Sequence, residues 1–511
     1  METLQQALSN VLQFQVLIAV LASAVYGIFM GAAPGLTATM AVALVVPLTF
    51  FLNDVTALAT IVTLEACAIF AGDIPTTLLR IPGTPSSAAY VDDAYTLTRQ
   101  GRHFRSLATS LAFSVTGGLI GTAILFAFAP WLAQFAFQFT SYEYFWLTLL
   151  GLSCAAVVSS DSLLKGTLAL VIGLLLSMVG LSEVHSIPRF TFGFDELVAG
   201  INFIPAMIGL FGFSEILRML AGTATEKIQA DSGDAGESPE KGRKGPSEPL
   251  RRAVRSILPS LWLRKLSTLR SSVIGFFVGM LPGAGADIGA WISYAASKKT
   301  AKGPSTYGKG SLEGIADATS ANNSALAGAW VPALVFGIPG DSVTAIVIGV
   351  LLMKNVMPGP GIFTDPAQSV LVYSIFITFL IANLVLIPVG FAAIKAGSFL
   401  VRVPREILWP IILIFCILGA YSINGSYFDI GVMLAMGVLG FGLEMWKVPL
   451  GPVVLGIILG GRLEQTLIQN LTKSDSFLDF FSRPVAGTLG IICLALWLAP
   501  PLYRLLKRKH G

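Results

Sequence analysis

Two kinds of Pro-Gly pair stand out in this sequence, and both occur twice. Gly31-Ala-Ala-Pro34-Gly35-Leu-Thr37-Ala-Thr39-Met40 is matched by Gly279-Met-Leu-Pro282-Gly283-Ala-Gly285-Ala-Asp287. Further along, Leu79-Arg80-Ile81-Pro82-Gly83-Thr84-Pro85-Ser86 is matched by Phe336-Gly337-Ile338-Pro339-Gly340-Asp341-Ser342. Proline lacks an N–H and stops a helix, and glycine turns the backbone where a side chain would clash. The residues after each pair read as a new helix start. Thr84 is a good N-cap with Pro85 at the first helical position, Asp341 or Ser342 can cap Val343 onward, and Thr37 or Thr39 can cap the run to Val46. A half-helix that starts inside a membrane aims its free N–H groups and positive dipole end at whatever sits there. An anionic carboxylate is the natural ligand. The unwound carbonyls before it, with Thr, Ser and Asn side chains, suit a coupling Na+. A lone Pro-Gly pair is more simply a kink; two distinct pairs recurring in order point to a site.

Amides and charges lie beside these motifs. Asn322-Asn323 borders an apolar run, where it can bind a carboxylate or ion, or cap a helix. Asp73, Arg80 and Asp341 flank the Pro-Gly pairs. A charge at mid-membrane costs about 2.5–3.5 kcal/mol on insertion scales, so each must be paired, wet or functional. Arg80 can pair with Asp73 or meet a substrate carboxylate.

The elements that must hold these residues are membrane helices. Of 511 residues 54% are hydrophobic and 12% charged, with mean hydropathy +0.76; soluble domains carry roughly 25% charged residues. A span takes about 20 apolar residues. Runs of that kind recur at 13–32, 55–71, 107–136 (two passes or one tilted one), 143–160, 163–181 and 203–221. Beyond a polar break come 268–281, 323–336, 343–357, 368–395, 407–421, 428–443, 447–460 and 485–503. Several are too short to cross alone and end in Gly or Pro, as re-entrant or broken helices do. The first run has neither a basic flank nor a small-residue cleavage site, so it reads as a span.

No Lys or Arg precedes Arg80; the bases gather at 99–105, 227–270, 298–309 and in the tail. Between apolar runs such clusters mark cytoplasmic loops rather than nucleic-acid binding. Residues 222–249 read as a polar cytoplasmic linker. Residues 250–269 read as an interfacial helix broken near Pro259, mixing Arg251, Arg252 and Arg255 with Val254, Ile257 and Leu258. They separate a first membrane repeat, 1–221, from a second, 270–511. The basic loop comes after the second motif in the first half but lies between the motifs in the second. The expected fold is therefore an all-α polytopic membrane protein of two inverted-topology repeats with re-entrant or broken helices. Four dispersed cysteines and three dispersed histidines offer no metal spacing or disulfide framework.

The motifs GAAPGLTATMAVALVVPLTF (31–50), IPTTLLRIPGTPSSAA (74–89), GMLPGAGA (279–286), EGIADATSANNSA (313–325), GIPGDSVTA (337–345) and MPGPG (357–361) resemble those of the large membrane subunit of the tripartite tricarboxylate transporter family, from about Gly27 to Pro484. The resemblance implies a multi-pass protein of the bacterial inner membrane, working with a small four-helix membrane subunit and a periplasmic solute-binding protein. It implies uptake of a carboxylate driven by an ion gradient, Na+ or H+, with no other cofactor; no ATP-binding motif is visible. The implied substrate and ion residues are Pro34, Gly35, Thr37, Arg80, Pro82, Gly83, Thr84, Pro85, Ser86, Ser87, Pro282, Gly283, Asn322, Asn323, Gly337, Pro339, Gly340 and Asp341. The chain departs from the family pattern at Asp73 (commonly Ser), Arg80 (often Asn), Thr319 (often Glu) and Asp341 (often Ser). Those changes would retune the pocket for another organic acid or, through Asp341, change the coupling ion.

Three other classes fit less well. A pore wants a continuous polar lining, whereas the polar signals here are discrete. An intramembrane enzyme wants a Ser–His pair, paired aspartates or a His cluster, and the chain is not expected to be an enzyme. A scaffold without a substrate site would leave the repeated motifs unexplained.

Overall fold

A chain surrounded by lipid must satisfy its backbone within its own helices. The computed structural model describes residues 2–33, 36–158, 162–182, 186–221, 248–283, 285–301, 303, 306–400, 405–474 and 476–509, with backbone alone at 398–400, 405–408 and 499–509. It is all-α apart from one antiparallel pairing of Gly180–Leu181 with Pro188–Arg189.

The first half runs α1 (Glu2–Val11), α2 (Phe14–Ala32), α3 (Ala38–Thr49), α4 (Asp54–Ala71), α5 (Asp73–Leu79), α6 (Val91–Arg99), α7 (His103–Ala136), α8 (Ser141–Val158), α9 (Leu163–Ser177) and α10 (Phe203–Ala221). The second runs α11 (Leu250–Leu263), α12 (Lys265–Gly279), α13 (Gly285–Thr300), α14 (Leu312–Phe336), α15 (Ser342–Met353), α16 (Pro366–Leu400), α17 (Arg405–Asn424), α18 (Tyr427–Met445), α19 (Leu450–Lys473) and α20 (Pro484–Lys509). Among the described residues, seven segments are long and apolar enough to cross a membrane: α2, α4 with α5, α7, α10, α16, α18 and α19. This is a multi-pass membrane protein. The 107–136 run is one long helix rather than two passes, with Pro130 inside it.

Glycines set the packing that carries the motifs. A Cβ on Gly27 or Gly31 of α2 would sit 2.5 Å from the Leu64 carbonyl oxygen or 2.2 Å from that of Ala68 on α4. Gly275 and Gly279 of α12 meet the Ala321 and Ala325 carbonyls of α14 in the same way, at 2.0 and 2.2 Å. Small residues at this spacing let membrane helices approach backbone to backbone. In both pairs the rising numbers match, so α2 runs parallel to α4, and α12 to α14.

The two pairs point in opposite directions, as α7 shows. Ser110 near its start bonds Asp73 just past the end of α4, while Phe126 shares a cluster with Val55 at the start of α4. Gly117 and Gly121 of α7 instead meet Ser320 and Ser324 of α14 in step. Thus α7 is antiparallel to α4 and parallel to α14, and α2 and α12 enter from opposite ends. Each hairpin returns to the end it came from. Lys354 Nζ reaches the Phe50 and Leu52 carbonyls beyond α3, at 3.3 and 2.5 Å. Arg270 Nη1 in α12 donates to Thr300 Oγ1 at the end of α13, at 2.7 Å.

The halves are tied at the basic end. Asp93 Oδ1 accepts from the Gly310 and Ser311 amides at 2.8 Å each, and Tyr294 OH donates to its Oδ2 at 2.6 Å. Asp317, fully buried in α14, receives Arg264 and Arg270 at 3.0 Å each and Ser267 Oγ at 2.6 Å. Most of the expected linker, 222–247, lies outside the described residues. The expected break at Pro259 is absent; α11 runs through it and the chain turns at Arg264 instead. Pro259 is exposed on the face that carries Arg252 and Arg255, where water can satisfy the carbonyl its ring leaves unpaired.

Candidate functional site

The matched motifs converge on one cavity of about 360 Å³. Thr37–Met40 at the start of α3, Gly83–Ser86 at the second Pro-Gly turn, Gly285–Asp287 at the start of α13 and Asp341–Val343 at the start of α15 all line it. Three helix N-termini thus face one space. Two of these starts are capped by their own side chains. Thr37 Oγ1 accepts the Met40 N–H at 3.2 Å. Asp341 Oδ1 accepts the Thr344 N–H at 2.8 Å while Thr344 Oγ1 accepts the Asp341 N–H at 2.9 Å, a reciprocal capping box. Thr84 and Ser87 make the same exchange, Ser87 N–H to Thr84 Oγ1 and Thr84 N–H to Ser87 Oγ, each at 3.2 Å.

The walls add charge. Glu65 of α4 is 1% exposed, and Trp330 Nε1 points at its Oε2 from 3.4 Å. Asp287 Oδ1 accepts the Ser86 N–H at 3.0 Å, joining the α13 start to the Thr84 turn across the two halves. Asp341 acts electrostatically on both Glu65 and Asp287. Glu215, Arg218 and Glu444 complete the charged lining, with Arg218 and Glu215 paired at 2.5 Å. Five carboxylates against one guanidinium give the lining a negative excess. Asn322 also lines the cavity, and among the described residues its buried Oδ1 has no hydrogen-bond partner, a polar atom that a ligand would satisfy. Among the described residues, no three His, Cys, Asp or Glu side chains gather closely enough to hold a metal ion.

The residues expected at a site divide between this cavity and other places. Thr37, Gly83, Thr84, Pro85, Ser86, Asn322 and Asp341 line the cavity; Pro34 and Gly35 lie outside the described residues. Ser87 supports the Thr84 turn and takes a bond from Thr76 Oγ1 at 2.9 Å. The Gly283 N–H donates to the Gly340 carbonyl at 2.8 Å, so the Pro282-Gly283 and Pro339-Gly340 turns brace one another behind the cavity. Gly283 has φ +76°, and its α-carbon packs on the Ala155 backbone, which excludes a side chain. Asn323 faces away, donating to the Ser114 carbonyl and Asn383 Oδ1 at 2.8 Å each. Both asparagines sit inside α14, so neither caps a helix. Gly337 ends α14 with φ +67° and opens onto a different cavity. Pro82 is exposed.

Arg80 does not pair with Asp73. It closes α5 in a left-handed turn, φ +61°, and its guanidinium meets Asp92 at 2.8 Å on the surface, the two side chains 60% and 56% exposed. Asp73 points inward and accepts from Tyr90 OH and Ser110 Oγ. Glu65, Asp287, Glu215, Arg218 and Glu444 were not singled out by sequence reasoning. A single acid inside the apolar 55–71 run was the available signal for Glu65.

Known proteins share this sequence over most of its length. A family model described as the tripartite tricarboxylate transporter TctA family matches residues 17–455. An uncharacterized 52.8 kDa protein in the TAR-I ttuC' 3'region of Agrobacterium vitis is 32% identical over 488 residues, covering 93% of this chain and 92% of the relative. An uncharacterized protein in the TAR-II ttuC' 3'region of the same organism is 33% identical over 233 residues, 45% of this chain and 95% of the relative. No solved structure matches the chain. With a family model spanning most of its length and a relative matched nearly end to end, the chain belongs to the tripartite tricarboxylate transporter TctA family.

Proposed function

We propose that this chain is the large transmembrane subunit of an ion-gradient-driven carrier in the bacterial inner membrane, taking up a tricarboxylate or related organic acid delivered by a periplasmic solute-binding protein. A small four-helix membrane subunit completes the assembly, and the chain itself is not an enzyme. The observation that carries this reading is the meeting of the α3, α13 and α15 N-termini with the capped Thr84 turn around one cavity. The positive dipole ends of these helices suit a carboxylate.

The acidic lining makes a cation necessary. Two like charges 4 Å apart repel by about 4 kcal/mol at an effective dielectric of 20, so a carboxylate entering beside Glu65, Asp287 and Asp341 needs positive charge with it. Na+ held by one or two of these carboxylates together with Asn322 Oδ1, or H+ bound to one of them, supplies that charge, and the anion and its cation then load together. Residues 1–221 and 270–511 act as two inverted repeats, joined through the 222–249 linker and the 250–269 interfacial segment. The opposed directions of the α2–α3 and α12–α13 hairpins support this.

Uptake into proteoliposomes holding the chain and its small partner, with the binding protein outside, tests the reading. Labelled mono-, di- and tricarboxylates are offered under an imposed Na+ or pH gradient. Saturable uptake that needs the binding protein and one gradient is expected. Uptake indifferent to both gradients would mean a facilitator, and no uptake across the panel would remove the carboxylate assignment.

A further inference from the structure

A second cavity, of about 1190 Å³, opens on the far side of the Gly337 turn. It lies at the end of the molecule away from the basic loops, between the α8 start, the α9 end, α19 and the 357–358 segment. Its charges are Arg189, Glu464, Arg462 and Lys473. Arg189 and Glu464 neutralise each other in a two-pronged pair, 2.9 Å at each contact. Among the described residues, Lys473 Nζ donates only to a neutral hydroxyl, Ser141 Oγ, at 2.8 Å.

Arg462 is the unusual member. It is partly buried, its guanidinium lies 5.1 Å from the Tyr144 ring centre, and among the described residues that guanidinium meets no carboxylate within 4 Å and makes no hydrogen bond. Its Nη1 lies so near Gly337 that a Cβ there would come within 2.8 Å of it. A guanidinium carries five donors in a planar fork suited to a carboxylate. Here the fork faces a roomy polar cavity with none of its donors used.

We propose that this outer cavity is a second carboxylate site, anchored by Arg462 and assisted by Lys473, which holds the organic anion before it passes to the central cavity. The inference rests on the carboxylate reading above. It explains a division of charge across the Gly337–Asp341 turn: Gly337 borders a cavity with surplus positive charge, and Asp341, four residues on, borders one with surplus negative charge. The outer site attracts the anion alone; the inner one accepts it with its cation.

The test is binding of labelled citrate, succinate and acetate to the full chain in phosphatidylcholine nanodiscs, with and without added phosphatidylglycerol. Wild-type protein is expected to bind the preferred acid at two sites. Arg462→Gln should weaken one of them about tenfold or more, the loss of a charge-assisted contact, while Arg462→Lys, which keeps the charge but not the fork, should weaken it less and controls for folding. Asn322→Ala should affect the other site alone. Two unchanged sites in Arg462→Gln, or a single site in wild type that only Asn322→Ala weakens, would overturn the outer site and leave the carboxylate reading standing. Binding abolished by phosphatidylglycerol would make the cavity a lipid-headgroup site and also overturn the proposal. No binding of any acid by wild type would overturn both readings.

Discussion

Glu65 and Asn322 occupy matching positions in the two halves, and both face the central cavity. Each precedes the proline of its Ile-Pro-Gly motif, Pro82 or Pro339, by 17 residues. Each lies three residues before the alanine, Ala68 or Ala325, whose carbonyl receives the second glycine of the neighbouring hairpin helix. The pair therefore sets a carboxyl group opposite an amide at equivalent depth. Glu65→Gln keeps the side-chain volume and an acceptor for Trp330 while removing the charge. Uptake by this variant is expected to fall roughly 10- to 100-fold, the scale of a lost charged contact, and to lose its dependence on the driving ion. Uptake measured against Na+ and against pH checks this; an unaltered ion dependence would move the coupling site elsewhere in the cavity.

Much of this arrangement was legible in the residues. The Pro-Gly pairs and the Thr37 and Asp341 caps depend on local backbone chemistry, which sequence carries directly; Thr84, expected to cap a helix from Pro85, instead closes a turn ahead of the short helix at Ser87–Tyr90. The helical fold followed from length and apolarity. What stayed hidden was direction. Asp73 and Arg80 are close in sequence, yet the left-handed turn at Arg80 sends its side chain outward to Asp92 while Asp73 points into the bundle. Asn322 and Asn323 are adjacent, but successive residues on a helix lie about 100° apart, so one lines the cavity and the other binds α7 and α16. Arg462 belongs to a helix with no motif, and only the fold brings it to Gly337.

Asp341 combines a structural and an electrostatic role, and two substitutions separate them. Asparagine caps a helix about as well as aspartate, so Asp341→Asn should keep the melting temperature while changing ion dependence. Asp341→Ala loses the cap as well, at a cost of about 1 kcal/mol. Thr84→Val, at the matching position of the first half, should show the stability loss with no change in the coupling ion. Thermal unfolding in detergent and ion-titrated uptake read the two effects independently. Equal melting of the Asn and Ala variants would show that the cap contributes nothing.

The glycine contacts of α2 and α12 are predicted to be among the least tolerant positions. In Gly31→Ala and Gly279→Ala the new methyl would meet a carbonyl oxygen at 2.2 Å in either case. Since backbone lies on both sides, the helices must separate, and overpacking of this kind costs about 1–3 kcal/mol. Gly442→Ala in α18, where a Cβ would meet nothing within 4 Å, is the control and should leave stability unchanged. Thermal melts of the three variants decide the matter; equal stability would mean that the close helix approach is easily relaxed.

Asp317 links the interfacial segment to the core, and its environment makes the sign of its mutation clear. The carboxylate is fully buried and receives Arg264, Arg270 and Ser267, while the two arginines are only 18% and 33% exposed. Removing one member of such a group leaves the remaining charges poorly solvated and costs about 3 kcal/mol or more. Asp317→Ala is therefore expected to destabilise the protein strongly, and adding Arg270→Ala should restore part of the loss, because one of the stranded cations goes with it. Arg270 also holds Thr300, so recovery will be incomplete. A double-mutant cycle on thermal stability isolates the coupling. Strict additivity would show that the Asp317–Arg270 contact carries no energy of its own.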